Sequence, residues 1–532
     1  MGRGVRRERA SAVSGSRTES PGDDAADTAR RSARGGAMMF AAGLVQLLVA
    51  VLTTMVLARL LTPADFGLFA MATVALALAG PVRDFGLPFA IVHAPTLDAA
   101  RLDTLFRVNA LLAFALTLSV CAMAPLVGRW FGEPGLVSIV VVLATGVGVR
   151  ALANVQLGVL TRALRHDLIA LCNTVAAIAG ASVGIALALV DLGVLALLGQ
   201  QWVTFAVQAL VLWFAAGRRA TPSRSPAAGE SAGEAAGEAE GAGAGPPSAS
   251  PLRALGAYAR RLSAARLIAE GTAMSDRLIV GRVAGATALG FYQSALRWVT
   301  VPLVQLLQPF KSVVVAGFSR LRHDRHAYRR FAAQAFAAVQ SLVLPTFAFL
   351  ALSAAPLIEV LLGDQWRAAI PLMRLLAIAM LFESVDRMAN WICLGEGRTR
   401  LRLYWNLSVA PLIVGALLIG SHWGVEGVAS AFALVRAALA APSMICVLRG
   451  SPLRHRDVWG GLWRPSIATA AALLVVLTRV AWLPGEGWPA ALVLAIDAGA
   501  FAVVYVGVWL ALPEGRRTAG LWLSTLRAVP ST

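Results

Sequence analysis

Stretches of about twenty mostly apolar residues recur along the chain and are separated by short polar segments. A helix of that length spans the hydrocarbon core of a bilayer. Short alternating strands, which a membrane β-barrel needs, are not part of the pattern. We therefore predict an all-α integral membrane protein with about fourteen transmembrane helices. The runs lie near residues 37–60, 66–92, 104–128, 136–158, 170–190, 192–216, 262–282, 288–311, 331–353, 369–393, 403–421, 425–448, 462–481 and 490–512.

The polar segments alternate in positive charge, which tests this count independently. Cytoplasmic loops are enriched in Lys and Arg. Every second segment, beginning with the leading tail, is rich in arginine, whereas the segments between them carry one or two charges each. This alternation predicts that both termini are cytoplasmic. The arginine-rich group comprises the tail and the loops around Arg101, Arg162, Arg218, Arg320, Arg398, Arg449 and Arg516.

The chain also contains an internal repeat. The end of the first apolar run, ARLLTPADFGLF at residues 58–69, returns as GRVAGATALGFY at residues 281–292, with Arg59 matching Arg282 and Gly67 matching Gly290. Further similar stretches follow in the same order at offsets that grow from 223 to 234 residues, as small loop insertions would produce. Chance similarity of apolar segments is the alternative. Because six helices return the chain to the same side, the repeat predicts two parallel six-helix lobes, related by an axis along the membrane normal.

Polar and terminal segments complete the predicted organisation. Residues 1–36 are polar and lack an apolar period, which predicts a disordered cytoplasmic tail. Residues 217–251 are rich in Gly, Ala, Glu, Pro and Ser and predict a flexible cytoplasmic linker. The first lobe then covers residues 37–216 with helices 1 to 6, and the second covers 252–450 with helices 7 to 12. Residues 451–532 add helices 13 and 14, outside the repeat, and a cytoplasmic C-terminus.

Composition agrees with a membrane protein and excludes several other classes. The 532 residues are 58% hydrophobic and 14% charged, with a mean hydropathy of +0.70, too apolar for a soluble core. The formal net charge of +18 comes from short loops beside the membrane, so topology and contact with anionic lipids explain it better than nucleic-acid binding. The four cysteines stand singly inside spans without metal-ligand spacing. We expect no metal and no cofactor.

Ionised side chains near the middle of predicted spans are the main candidates for function. Such a group costs roughly 2.5–3.5 kcal/mol at mid-bilayer and persists where it faces a partner or water. Counting about 1.5 Å per residue from each span's centre places five of them within roughly 5 Å of the midplane. They are Arg150, Glu270, Arg297, Glu383 and Arg436.

Two further arginines, Arg266 and Arg277, share a face of helix 7 with Glu270 at helical spacing. The functional interpretation of these charges is a cavity in which arginines meet an anionic group, while carboxylates hold the arginines or carry protons. The structural alternative is that paired charges lock helices together and that arginines reach to the nearer interface. In helix 8, Pro302 and Pro309 predict a hinge.

Catalytic constellations are missing from the sequence. The six histidines lie apart or in loops, and no phosphate-binding loop or glycine-rich dinucleotide motif occurs. A membrane glycosyltransferase or acyltransferase would need such a site. We therefore predict that the chain has no catalytic residues and is neither an enzyme nor an ATP-driven motor.

Four stretches of the chain resemble the Wzx-type flippases, especially their WzxC-like branch, of the multidrug/oligosaccharidyl-lipid/polysaccharide exporter superfamily. They are ARLLTPADFGLFAMATVALALAGPVRDFGLPFAIV (58–92), LGVLALLGQQWV (192–203), DRLIVGRVAGATALGFYQSALRWVTVPL (276–303) and LIEVLLGDQWRAAIPLMRLLA (357–377). The resemblance implies two six-helix lobes around a central cavity and alternating access. It also implies a location in the bacterial inner membrane.

The same resemblance implies a cargo and a set of cavity residues. The cargo would be an undecaprenyl-pyrophosphate-linked oligosaccharide carried outward for surface polysaccharide assembly, with a polysaccharide polymerase and glycosyltransferases as protein partners. Helices 1, 2, 7 and 8 line the cavity in relatives, with arginines towards the pyrophosphate, which adds Arg59 and Arg282 to Arg277 and Arg297. Near the predicted outer surface, Arg59 and Arg282 could equally be interfacial anchors.

Two other functions stay open at this stage. A drug or cation antiporter of the same superfamily would use mid-membrane carboxylates in its first lobe, and helices 1 to 6 have none at mid-depth. A non-transporting scaffold of a polysaccharide synthase would act through its tail and linker.

Overall fold

The computed structural model describes residues 42–83, 99–163, 165–217, 251–483 and 487–512 and, within them, leaves the side chains of residues 75, 78–83, 99–101, 217, 251–270, 309 and 312 undescribed. The predicted tail and almost all of the predicted linker lie outside the described residues. The described chain is helical throughout. In the first half the helices are α1 (Ala42–Leu60), α2 (Pro63–Arg83), α3 (Ala99–Phe131), α4 (Leu136–Leu152), α5 (Asn154–Arg162), α6 (His166–Leu189) and α7 (Val194–Gly217).

The second half begins with a helical region, Pro251–Arg320, that is interrupted at Gly285. Gly285 has φ 80° and ψ −177°, a conformation that glycine adopts without strain. The hydroxyl of Tyr292 lies 2.9 Å from the carboxylate of Asp276, whereas sixteen residues of one continuous helix would extend about 24 Å. The chain therefore folds back at Gly285, giving α8 (251–284) and α9 (286–320).

The remaining helices are α10 (Arg325–Leu352), α11 (Ala354–Leu361), α12 (Ala369–Gly395), α13 (Thr399–Gly420), α14 (Gly424–Leu448), α15 (His455–Trp482) and α16 (Ala490–Ala511). A short 3₁₀ turn, Ser421–Trp423, and Gly424 with φ 72° separate α13 from α14.

Each of the fourteen predicted runs overlaps one of these helices. By length and composition alone, nine helical stretches of the described residues, or ten with one bent pair, could cross a membrane. The lower number arises partly because α13 and α14 are taken together as Thr399–Leu448. The charged residues of α12, Arg374, Glu383, Asp386 and Arg387, lower its hydropathy.

Packing repeats between the two halves. In the first half α3 packs on α4, α4 on α7, and α6 on α7, and in the second half α10 packs on α12, α12 on α14, and α13 on α14. These pairs correspond helix by helix under the predicted repeat. The fold is thus two parallel six-helix lobes followed by α15 and α16.

The last two helices pack on the outside of the second lobe. Helix α15 lies along α10, and α16 contacts α15 and α11. The guanidinium of Arg479 binds the buried carboxylate of Asp497 through two hydrogen bonds of 2.8 and 2.6 Å. Exposed Trp459 and Trp482 lie near opposite ends of α15, about 35 Å apart along its axis, as expected for residues at the two membrane interfaces.

Helix α9 is bent. Its axis turns by 44° between Gln308 and Val313, next to Pro309, which has no backbone N–H to donate to the helical hydrogen-bond ladder. The bend therefore lies where the sequence predicts a hinge. Motion about this bend stays a prediction.

Candidate functional site

The two lobes meet through α2 and the reversal between α8 and α9. A β-carbon on Gly67 would overlap the carbonyl oxygen of Ala286, and one on Gly290 would overlap that of Pro63. Gly290 follows Gly67 by 223 residues, and Ala286 follows Pro63 by the same interval. The contact is therefore reciprocal. Each glycine packs on the residue that lies four positions before its counterpart in the other lobe. Small residues at this spacing let two membrane helices cross at close range.

Hydrogen bonds from the second lobe secure the same end of the bundle, which we call the closed end. Helix α1 finishes there, so its last carbonyl groups have no partner within the helix. Trp366 donates its indole N–H to the carbonyl of Ala58 at 2.8 Å. The side-chain amide of Gln365 donates to Ala58 and, at 3.2 Å, to Leu61. Gln365 and Trp366 therefore act as a C-terminal cap supplied by the other lobe.

Arg59 and a cluster of rings complete the closed end. Arg59 donates to the carbonyl of Val360 at 2.9 Å. Trp366, which has no exposed surface, meets the edges of Phe66 and Phe291 at centroid distances of 5.2 and 5.8 Å. One aromatic residue of the second lobe is thus enclosed by rings from both lobes, and little space is left for water or cargo to pass.

Beyond the closed end, the face of α9 that touches α2 becomes polar. Gln293 and Arg297 follow Gly290 at helical spacing on this face, so Arg297 lies about 10 Å further along the helix. Arg297 has an exposed side chain. It makes no hydrogen bond or ion pair with another described residue. The amide oxygen of Gln293 is buried and also unpaired within the described chain.

The other arginines of α1 and α8 differ in environment. Arg277, half-buried on α8, contacts the sulfur of Met274 at 2.8 Å, and its Nε has no hydrogen-bond partner in the described chain. Arg282 is exposed three residues before Gly285 and pairs with no described residue. Arg59 already binds Val360 across the closed end. Arg266 and Glu270 belong to α8, but their side chains lie outside the described residues.

Arg150 is held inside the first lobe. Its Nε donates to Gln208 at 2.8 Å, the amide of Gln208 donates to Asn173 at 2.6 Å, and the guanidinium lies 5.7 Å from the ring centroid of Phe205. The network ties together α4, α6 and α7. Its geometry supports the structural interpretation of Arg150 at least as well as the cargo-binding one.

Glu383 and Arg436 are brought together inside the second lobe. The Glu383 carboxylate lies 2.7 Å from Arg436 on α14 and 3.3 Å from Arg387, one turn further on α12. The guanidinium of Arg436 also lies 5.1 Å from the ring centroid of Phe432. One carboxylate therefore faces two cations, which leaves the triad with net positive charge and joins α12 to α14.

The sequence analysis did not identify two polar groups that link helices. Asp276 joins Tyr292 across α8 and α9, and Asp386 accepts hydrogen bonds from Arg402 at 2.9 Å and Ser443 at 2.6 Å. A signal was available for the first pair: at the repeat offset of 223 residues, Asp276 and Tyr292 correspond to Thr53 and Phe69. At these two positions the second half therefore has two polar residues, whereas the first half has one.

Metal binding finds no support in the described residues, which contain no group of three His, Cys, Asp or Glu side chains that could hold an ion. The arrangement that remains is a polar face of α9 with the unpartnered Arg297 and Gln293, beside a close contact between the lobes. Such a face can bind an anionic group without changing it chemically.

Comparison with known proteins identifies a family and several relatives of the chain. Residues 56–228 and 246–371 match the family described as "Polysaccharide biosynthesis protein". The lipopolysaccharide biosynthesis protein WzxC of Escherichia coli (strain K12) is 24% identical over 452 residues, covering 84% of this chain and 86% of the relative. The succinoglycan biosynthesis transport protein ExoT of Rhizobium meliloti (strain 1021) is 22% identical, covering 69% of this chain and 70% of the relative.

Solved structures share the fold at low sequence identity. An inward closed conformation of the lipid II flippase MurJ superposes with a TM-score of 0.68 at 11% identity, covering 89% of this chain and 98% of that one. An inward-facing multidrug transporter of the MATE family, described as a member of the MOP superfamily, gives a TM-score of 0.56 at 17% identity. The match covers 79% of this chain and 95% of that one. Both likenesses concern the fold alone.

Proposed function

The chain belongs to the polysaccharide biosynthesis protein family, and on that premise we propose that it moves a polyprenyl-pyrophosphate-linked oligosaccharide across the bacterial inner membrane by alternating access. The cargo would serve the assembly of a surface polysaccharide. The relatives are named for lipopolysaccharide and succinoglycan biosynthesis, and the fold is that of a lipid II flippase. The activity is transport, with no bond made or broken.

The observation that carries the proposal is the environment of Arg297. A permanently charged guanidinium is exposed without a described partner, on the face of α9 that touches the other lobe two turns away. Because an unpaired charge is costly within a membrane, its retention points to a ligand of opposite charge. Arginine binds phosphate oxygens through two parallel N–H donors. Arg277, whose Nε is unpaired, would contribute from α8.

Orientation and driving force fit this cargo. If the arginine-rich loops are cytoplasmic, the closed end faces outward and the cavity would load from inside. An inside-negative potential favours outward movement of each negative charge by about 2.3 kcal/mol per 100 mV. The potential could therefore assist export of the pyrophosphate group. Separation of the two lobes at the Gly67 and Gly290 contacts is the conformational step that we propose.

Reconstituted transport tests the proposal. In proteoliposomes containing a fluorescent undecaprenyl-pyrophosphate oligosaccharide, the wild-type chain should move the lipid between leaflets, and Arg297→Ala should slow this at least tenfold. Arg107→Ala provides the matched control, because Arg107 forms an exposed pair with Asp103, worth roughly 0–1 kcal/mol. Wild-type rates in a well-folded Arg297→Ala protein would remove the cavity assignment. A drug antiporter would instead transport cationic dyes and leave the lipid in place.

A further inference from the structure

One buried hydrogen bond joins the two helices that carry Arg277 and Arg297. Tyr292 on α9 donates to the Asp276 carboxylate on α8 at 2.9 Å, and the side chains are 0% and 3% exposed. The other oxygen of Asp276 accepts the backbone N–H of Arg277 at 2.8 Å. Both carboxylate oxygens therefore have a donor. We call the Asp276–Tyr292 bond the brace.

The first half of the protein lacks this bond at the equivalent place. Thr53 and Phe69 occupy the corresponding positions beside the turn between α1 and α2. Thr53 turns its hydroxyl to its own helix and donates to Val49 at 2.6 Å, and Phe69 has no hydroxyl to offer. The fold therefore closes a helix pair of this kind without a brace. The bond in the second half is consequently not a requirement of the hairpin itself.

Retaining a buried carboxylate here is expensive. Removing such a group from water costs more than an apolar substitute of similar size, even when it is paired. Asp276 therefore binds the backbone N–H of Arg277 through one carboxylate oxygen and α9 through the other. Arg297 lies only five residues beyond Tyr292 on α9.

We infer that Asp276 and Tyr292 are positioning residues of the cargo site: the brace fixes α8 against α9, so that Arg277 and Arg297 bind one diphosphate group together. This inference rests on the proposed function. Two arginines on separate helices can share an anion only if the helices keep a constant register, and preorganisation reduces the entropy lost on binding. Neither Asp276 nor Tyr292 needs to touch the cargo.

Binding of farnesyl pyrophosphate, a short polyprenyl diphosphate, tests the brace in the purified full-length chain. Tyr292→Phe removes only the hydroxyl and copies Phe69. We expect it to weaken binding by about tenfold, the scale of one buried hydrogen bond, with a smaller change in transport rate at saturating cargo. Asp276→Asn should retain most of the affinity, because its amide can accept from Arg277 and donate to the Tyr292 oxygen. Such rescue would not occur if the charge of Asp276 were what matters.

A double variant guards against misfolding. Asp276→Thr with Tyr292→Phe recreates the pair that the first lobe already packs, and leaves no buried carboxylate without donors. It should fold and bind farnesyl pyrophosphate about tenfold more weakly, as Tyr292→Phe does. Unchanged affinity in this double variant would overturn the inference. Thr53→Val, which removes the hydroxyl at the equivalent position of the first lobe, is the control and should bind as the wild type does.

The same assay separates the two proposals. If Arg297→Ala binds farnesyl pyrophosphate like the wild type, the proposed anionic site fails, and the brace loses its role with it. If Arg297→Ala weakens binding while the double variant does not, the proposed function stands and only the positioning role is wrong. Hydrogen exchange in α8 and α9 supplies an independent readout, since loss of the brace should speed exchange near Gly285.

Discussion

Gly67 of the first lobe packs directly against the carbonyl group of Ala286 in the second lobe, and the equivalent Gly290 packs in the same way on Pro63. The relationship links sequence repeat, fold and mechanism. The two matching segments pack directly on each other where the lobes meet. A contact of this kind leaves no room for a side chain, so adding a single methyl group can weaken it.

Replacing Gly67 or Gly290 by alanine should open the closed end. The added methyl group would overlap a backbone carbonyl, and overpacking of this kind costs roughly 1–3 kcal/mol. We expect faster modification of a cysteine placed at Leu61, measured with a membrane-impermeant maleimide after the four native cysteines are replaced by alanine. Gly415→Ala is the control, because nothing lies within 4 Å of its β-carbon position. Equal labelling rates in all three variants would contradict the packing argument.

Trp366→Phe should weaken the closed end by a smaller amount. The ring would still fill the space between Phe66 and Phe291, but the donor to Ala58 would be lost. Since Gln365 also reaches Ala58, we expect a cost of about 1 kcal/mol, or roughly a fivefold shift towards the open state. The same labelling experiment measures it. Exposed Trp423 provides the comparison, and an equal effect of Trp423→Phe would show that the indole donor is irrelevant.

Glu383→Ala should destabilise the second lobe strongly. It would leave the half-buried Arg387 and Arg436 without their shared carboxylate. The loss should be smaller than the roughly 3–5 kcal/mol of a fully buried pair with one partner removed, because solvent screens the exposed part of both arginines. The midpoint of thermal unfolding in detergent should fall. Adding Arg436→Met to Glu383→Ala should restore part of the loss, and the double-mutant cycle measures the coupling. Strict additivity would mean that the triad does not act as a unit.

Deleting residues 1–30 and 223–247 should leave transport intact. If the chain is a flippase, these segments contribute to orientation and to linkage of the lobes, and their loss should change the proteoliposome rate by less than about twofold. A scaffold for a polysaccharide synthase would instead lose its activity in cells. Polymer production by a strain that carries the shortened chain distinguishes the two. Loss of polymer with normal transport in vitro would favour the scaffold.

Apolar runs were sufficient to predict the helices, because the bilayer requires about twenty apolar residues for each crossing and leaves few alternatives. The repeat predicted two lobes for a similar reason, since its landmarks keep their order. Helix ends were less accurate: α3 extends to Ala99 and Phe131, beyond the predicted 104–128, because polar residues can continue a helix past the hydrocarbon.

Side-chain partners could be predicted far less well. Depth along each span singled out Arg297, which has no described partner, but the same criterion also selected Arg150 and Glu383, which are held by Gln208 and by two arginines. Which helix faces which cannot be derived from periodicity in one chain. The brace was not predicted, because one sequence does not show that Asp276 and Tyr292 face each other, and only comparison of the two halves makes the pair stand out.

Opening the closed end deprives the last carbonyl groups of α1 of the donors on Gln365 and Trp366. At the end of a membrane helix, water can take over both hydrogen bonds, so little net energy is lost; deep in hydrocarbon the same exchange would cost several kcal/mol per group. The lobes are thus fastened to each other where solvent can replace every broken bond. A modest preference of the cargo for one state is then enough to reverse the equilibrium between open and closed forms.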